Sequence, residues 1–311
     1  MRFFTLLVTI TGIGLLSISC TTAPVATSHW QGPITAGTIE QPVINEASGL
    51  AASRRADNIF WVNNDSGGEP VLYAIDGKGR YLGSVRFEGA TLYDWEDCAS
   101  FKIDGKSYLL AADVGDNYAQ RKDCVLYIIA EPDPATLDPH HELSAAIVGQ
   151  IRYTYPEGAR DCENVAVDPV EGNIYLISKR TVPPFVYRLP LSLEKSPAIL
   201  VAARVGELNG IPQPTGPSAL IESTSGKYRA WPCSLDIASD QRTAVVLTYG
   251  EVYLYTRQKG RTWAEAFASE PLQLAAHNLP QAEGVCFTND NQTVLVATEG
   301  MPVPLLSYSL K

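Results

Sequence analysis

Apolar and polar positions along this chain fall into one recurring unit: a short apolar run, a polar turn, and a second β-rich run. Ser48-Gly-Leu-Ala-Ala52 leads across a turn to Asn58-Ile-Phe-Trp-Val-Asn-Asn-Asp65. Glu96-Asp-Cys-Ala-Ser100 leads to Ser107-Tyr-Leu-Leu-Ala-Ala-Asp113, and Glu163-Asn-Val-Ala-Val-Asp168 to Asn173-Ile-Tyr-Leu-Ile-Ser-Lys179. Cys233-Ser-Leu-Asp-Ile-Ala238 precedes Thr243-Ala-Val-Val-Leu-Thr-Tyr249, and Glu283-Gly-Val-Cys-Phe287 precedes Thr293-Val-Leu-Val-Ala-Thr-Glu299. Each pair is a hairpin signal, because β-branched and aromatic residues suit a pleated surface and the polar turn residues reverse the chain.

A third run follows each hairpin: Val71 to Ile75, Val125 to Ile129, Phe185 to Leu189, Glu251 to Tyr255 and Leu305 to Ser309. A fourth is expected at Tyr81 to Phe87, Ala146 to Tyr155, Ile199 to Val205 and Leu272 to His277. Four-stranded units repeating at roughly 50 to 67 residues are propeller blades. The last unit meets the end of the sequence without a fourth strand, which Ile34 to Glu40 would supply, closing the ring and leaving no open sheet edge. The fold class read here is all-β: a single β-propeller, five blades, closed by an N-terminal strand joining the last blade. Six blades is the alternative, with a degenerate blade around Asn209 to Tyr228, a Pro-, Gly- and Ser-rich stretch otherwise read as a loop. A β-sandwich offers no reason for a five-fold repeat.

The segment Val165-Ala-Val-Asp-Pro-Val-Glu-Gly-Asn-Ile-Tyr175 resembles blades of the senescence-marker-protein/gluconolactonase, NHL and YWTD propellers. Asp94-Trp-Glu-Asp97, Asp113-Val-Gly-Asp-Asn117 and Arg160-Asp-Cys-Glu163 more specifically resemble a family of secreted bacterial propellers of poorly characterised function. The likeness runs from about Glu46 to Glu299 and implies fold more than activity, since propellers host many functions. A gluconolactonase-like activity would make Glu46 or Glu96 stand for its metal-binding acids.

The first residues bear on the compartment. Arg2 is a minimal positive region and Phe3 to Leu16 an apolar stretch too short for a stable span. Leu16-Ser-Ile-Ser-Cys20 resembles a lipobox, which implies lipidation at Cys20; an ordinary secretory signal is the alternative. Thr21 after the cysteine implies the outer membrane, periplasmic side, in a Gram-negative cell. Residues 1–19 are read as signal peptide, 20–33 as a Thr-, Ala-, Pro- and Ser-rich tether, and 34–311 as the propeller. Membrane contact is expected only through the lipid. The five cysteines beyond Cys20 are an odd number, so they cannot all pair, and no CxxC spacing suggests structural zinc.

Charged residues are 19% and apolar ones 45%, enough for a substantial core. The net charge of -10 argues against nucleic acid, which needs basic grooves. It fits a cation-binding or simply soluble periplasmic surface. In a propeller the innermost strand of each blade starts at the face where the second strand ends, so residues at those points converge on one channel. Glu96, Glu163 and Glu283 form a recurring carboxylate column at the starts, with Ser48 and Cys233 in the other units. Glu46, Glu96, Glu163 and Glu283 are the candidate catalytic acids. Asp65, Asp94, Asp113, Asp116, Asp161 and Glu299 are candidate metal ligands, because crowded carboxylates need cations or raised pKa values and Ca²⁺ prefers such oxygens. Asn64, Asn117, Lys179 and Tyr249 are candidate ligand-binding residues. The structural alternative is that the acids cap backbone amides of neighbouring blades, and that Lys179-Arg180 pairs with Asp161 or Glu163. Trp61, Tyr93, Trp95, Tyr118 and Trp231 would floor a pocket or, as favoured for Trp61, fill blade cores. Asn64-Asp-Ser-Gly-Gly68 is not read as a serine-protease box, since its histidine could only be His29 in the tether. His140 and His141 read as solvated surface. No organic cofactor is expected.

Three functions compete: a metal-dependent hydrolase of a lactone, ester or phosphoester; a non-catalytic module holding a small molecule, a glycan or an envelope protein; and a glycoside hydrolase using paired acids.

Overall fold

The computed structural model describes residues 29–65 and 67–311; the lipobox and signal segment lie outside the described residues. The chain is an all-β propeller. Strand β1 (Trp30–Ile39) opens the described chain. The first four-stranded unit is β2 (Ala47–Ala52), β3 (Ile59–Asn64), β4 (Val71–Asp76) and β5 (Tyr81–Glu88). The second is β6 (Trp95–Ile103), β7 (Lys106–Asp113), β8 (Cys124–Ala130) and β9 (Glu142–Thr154). The third joins β10 (Ala166–Asp168), β11 (Asn173–Ile177) and β12 (Phe185–Pro190), skips β13 (Lys195–Val201), and ends with β14 (Ala203–Glu207). The fourth is β15 (Pro232–Ile237), β16 (Thr243–Thr248), β17 (Val252–Thr256) and a short β18 (Leu272–Gln273). In the last, β19 (Ala282–Phe287), β20 (Thr293–Thr298) and β21 (Val303–Leu310) are completed by β1, which pairs antiparallel with β21.

The innermost strands form a closed cycle of neighbours, β2 beside β6, β6 beside β10, β10 beside β15, β15 beside β19 and β19 beside β2. An apolar cluster fills the gap between each adjacent pair of units. Between the second and third, for instance, Leu110, Leu126 and Tyr153 meet Val165, Leu176 and Tyr187. Between the last and the first, Ile39, Val303 and Leu305 meet Leu50, Phe60 and Val62. Each such side chain, fully buried, contributes roughly 1.5–3 kcal/mol, so the ring is held by its seams as well as by its ladders.

One outer-edge expectation needs correction. Ile199 to Val205 is not one fourth strand. Its first part, β13, pairs parallel with β9 of the preceding unit, and only β14 joins β12. The long β9 also reaches backward, pairing parallel with β5 from Ser84↔Glu142 to Glu88↔Ala146. A long outer strand has backbone groups to satisfy on its open side, and β13 covers them. The Asn209 to Tyr228 stretch contains a 3-10 turn at Gly216–Leu220 and no strand. Cys98, Cys124, Cys162, Cys233 and Cys286 are all buried free thiols.

Candidate functional site

The carboxylate column stands on a repeated irregularity. In the first, second, fourth and last units the pairing of the inner strand slips by one residue at its start. The slips fall between Ala47 and Gly49, Trp95 and Asp97, Pro232 and Ser234, and Ala282 and Gly284. The residues skipped are Ser48, Glu96, Cys233 and Glu283. A β-bulge leaves one residue outside the ladder and re-aims its side chain. In the third unit Asn164 does the same work with a side chain: its amide accepts from Ile177 N (2.7 Å) and donates to Ile177 O (2.8 Å), replacing a ladder step beside Glu163. Period-2 alternation would otherwise send these residues into the sheet surfaces.

The bulges bring acids from distant parts of the chain together. Ligand oxygens of Asp65, Asp94 and Glu96 lie within 4.8 Å of one another, and so do those of Glu96, Asp161 and Glu163. Glu96 belongs to both groups. It is 2% exposed, and Glu163 and Asp161 are buried with it. Gly115 forms part of the wall: a methyl group there would collide with Glu96 Oε1 and Asp94 Oδ2, so the carboxylates occupy space that only glycine leaves.

The two groups differ in charge balance. On one side Lys179 pairs with Glu163, and Arg180 Nε reaches Asp161 Oδ2 at 2.5 Å. Both cations lie over the ring of Trp231. On the other side, among the described residues, Asp94 and Glu96 have no Lys or Arg within ion-pair distance. Burial, then the charge of Asp65, pushes Asp94 up to about 7. Burial followed by Asp65 and Asp94 holds Glu96 well above the usual carboxylate range.

A hydrogen-bonded chain continues from the cationic side. Lys179 Nζ donates to Tyr249 OH (2.9 Å), which donates to Glu283 Oε1 (2.9 Å). Gln281 Nε2 bridges Glu283 and Glu299. Burial, then the neighbouring Glu283, raises Glu299 to about 9, so Glu299 retains its proton at neutral pH. Burial and Glu283 also raise the Tyr249 phenol. The second Glu283 oxygen, buried, has no hydrogen-bond partner.

The remaining candidates are placed elsewhere or otherwise engaged. Asp113 and Asp116 do not join the two metal-spaced groups. Asp113 accepts from Asp94 N (3.1 Å) and Tyr93 N (3.3 Å) and pairs with Arg121 at 2.7 Å. Asp116 caps the amides of Gln120 and Arg121 at 2.8 and 2.9 Å. Both therefore cap loop amides of their own unit, not of a neighbouring one. Glu46 is exposed at the rim, and Asn64 holds its loop through Val43 O at 2.6 Å. Asn117 is exposed and binds Arg180. Trp95, like Trp61, is fully buried in the seam between the first two units and floors no pocket. Tyr93 and Tyr118 are exposed, and His141 is tied to Asp138 on the surface. Sequence reasoning missed Gly115 and Gln281. The glycine inside Asp113-Val-Gly-Asp-Asn117 was the one available signal.

Deeper in the channel, Asp97 shows what amide capping looks like when it is complete. It accepts from Cys98 N (2.9 Å), Val165 N (3.0 Å) and Leu235 N (3.4 Å), and from Ser234 Oγ at 3.3 Å. One side chain thus joins three inner strands. Compared with family models and with curated proteins, the chain matches none.

Proposed function

We propose that the protein is an exported propeller, lipid-anchored through Cys20 to the periplasmic side of the outer membrane in a Gram-negative cell, that binds a divalent cation at its channel mouth and hydrolyses a lactone, ester or phosphoester there. The observation that carries it is the uneven charge balance: Lys179 and Arg180 pair with Glu163 and Asp161, while Asp94 and Glu96, among the described residues, have no Lys or Arg within ion-pair distance. The donors fit a hard cation, all being carboxylate oxygens brought close enough together to share one ion. Asp65, Asp94 and Glu96 would hold the ion. When bound, it supplies polarisation of a carbonyl or phosphoryl oxygen.

The chain's own residues supply the rest. Glu299 keeps its proton above neutral pH and can deliver it to a leaving oxygen as general acid. Tyr249 fixes Glu283 in place and connects it to Lys179. Metal analysis of the purified protein tests the site, followed by melting with and without EDTA and turnover of generic lactones, esters and phosphoesters. Bound metal, a lower melting temperature in EDTA and EDTA-sensitive turnover are expected. Metal-free protein with unchanged melting would sink the reading.

A second reading is a non-catalytic module for a glycan or an envelope protein. It is favoured by the large apolar side chains exposed on loops of this face, among them Tyr93, Tyr118, Val182, Leu220 and Ile221. A stoichiometric partner with intact metal binding and no turnover would select it.

A further inference from the structure

We infer that a groove on the flank of the second unit, at its mouth end, binds an acidic saccharide, with Tyr93 stacking on a sugar ring and Lys122 and Arg152 receiving its carboxylate. The inference stands whether or not the mouth holds a metal, since no residue of the groove belongs to the two metal-spaced groups. Strand pairing explains why a groove forms there. β5 runs beside β9 only as far as Glu88↔Ala146, and the chain then crosses inward through residues 91–93 to β6. Val125 and Tyr127 of β8 pair with Arg152 and Gln150 of β9, so alternation puts these four side chains on one face. Val125 and Tyr127 are buried in the apolar seam between the first two units, while Gln150 and Arg152 are half-buried and form a polar wall. The cavity holds about 450 Å³, the scale of a small-ligand site.

Charge selects an anion. Arg121, Lys122 and Arg152 line the groove against two acids, Asp113 and Asp123. Both acids are already taken: Arg121 Nη1 holds Asp113 at 2.7 Å, and Arg152 Nη2 holds Asp123 at 2.8 Å. Arg121 Nη1 also donates to Gly115 O at 2.9 Å. Each arginine thus spends one guanidinium nitrogen, and among the described residues nothing accepts from the others. Lys122 is exposed and has no carboxylate within ion-pair distance among the described residues. The groove is left with one positive charge in excess on a chain of net charge -10, a local reversal of sign. Asp116 accepts from Gln120 N and Arg121 N and so fixes this loop beforehand, which lowers the ordering cost of binding.

The uncharged lining selects a saccharide over a bare anion. Tyr93 is 68% exposed, and the Arg121 guanidinium lies over its ring at 4.7 Å, covering one face and leaving the other to a ligand. An exposed aromatic face beside hydrogen-bonding groups suits a sugar, whose C–H edges pack on the ring while its hydroxyls meet polar side chains. Thr91 Oγ1 and Tyr127 OH, 2.9 Å apart, supply such groups, together with the Gln150 amide. The buried Asp113 accepts from Tyr93 N (3.3 Å) and pairs with Arg121, so one carboxylate holds both the stacking ring and the cation behind it. Asp94 follows Tyr93 directly, which places the groove beside the mouth acids.

Calorimetric titration of the full-length protein with tri-galacturonate tests the site, with EDTA present so that no metal bridges the carboxylates. Neutral maltotriose and inorganic phosphate are the comparisons. Binding of the acidic trisaccharide at least about tenfold tighter than either is expected. Tyr93→Ala should weaken it about tenfold, and Lys122→Glu by about the same factor. Raising the salt from about 0.05 M to about 0.5 M should weaken it severalfold. Both positions are exposed, so the variants should melt as the parent does. No binding of tri-galacturonate, or binding that neither variant weakens, overturns the site. Maltotriose bound as tightly overturns the acidic ligand. Phosphate bound as tightly, with Tyr93→Ala silent, leaves a bare anion site and overturns the saccharide. EDTA throughout keeps these outcomes separate from the fate of the metal reading.

Discussion

Buried carboxylates occur at both ends of this propeller, and their surroundings separate them. At the far end Glu131 accepts from Ser53 Oγ (2.5 Å), Trp61 Nε1 (3.0 Å) and Arg54 N (3.1 Å). Asp168 accepts from Val170 N and Glu171 N, both at 2.9 Å, and from the Trp263 indole at 3.0 Å. Asp97, on the axis, is filled by backbone amides of three strands. At the mouth, Asp94 and Glu96 face other acids instead, and one Glu283 oxygen has no partner. Burial alone therefore says little about role. A buried acid whose lone pairs are filled by the protein is part of the frame. One surrounded by other acids stores repulsion that a bound cation would relieve.

The sharpest way to break this comparison is to delete one acid from each class. Asp97→Ala leaves three amides from three strands without an acceptor, and a loss of about 3–5 kcal/mol in urea unfolding is expected. A loss under about 1 kcal/mol would place Asp97 with the mouth acids. Next in size is the pH response of the metal-free protein. Asp94 and Glu299 are raised to about 7 and about 9, so the folded state holds protons that the unfolded chain has released. Stability should then fall as pH rises from about 4 through 7 and on toward 9, and level off above that. Added Ca²⁺ should flatten the slope, because the ion replaces the lost protons. Thermal melts across this range with EDTA or Ca²⁺ measure both, and a slope indifferent to Ca²⁺ would separate the acids from metal binding.

Gly115→Ala intrudes on Glu96 and Asp94 without touching the far end. Calcium titration should show about tenfold weaker binding, equivalent to ~1.4 kcal/mol. The smallest effect on stability has the opposite sign from that of Asp97. Glu96→Gln removes repulsion among the mouth acids and should raise metal-free stability by about 1 kcal/mol while abolishing the Ca²⁺-dependent rise in melting temperature. A destabilised Glu96→Gln would mean that Glu96, too, is frame.

The strands were legible because their signals are local. Apolar alternation, β-branched runs and polar turns marked the hairpins, and the repeat aligned Ser48, Glu96, Glu163, Cys233 and Glu283 as equivalent positions. The closing strand was legible for the same reason, since a repeat one strand short needs a partner, and β1 pairs there. The path from β12 to β14 was not, because which outer edge a strand covers depends on what the neighbouring unit leaves open.

For the site, the sequence by itself determined which residues stand at the inner-strand starts, and so which acids share a face. Their states follow from the packing of neighbouring units. The bulges that re-aim Glu96 and Glu283, the Asn164 side chain that substitutes for a ladder step, and the assignment of Lys179 to Glu163 are set by contacts within and between neighbouring units. Asp113 and Asp94 look alike in the chain, yet one meets Arg121 and two amides while the other meets Asp65. Whether a buried charge is compensated depends on groups far away in sequence, and no local pattern records that distance.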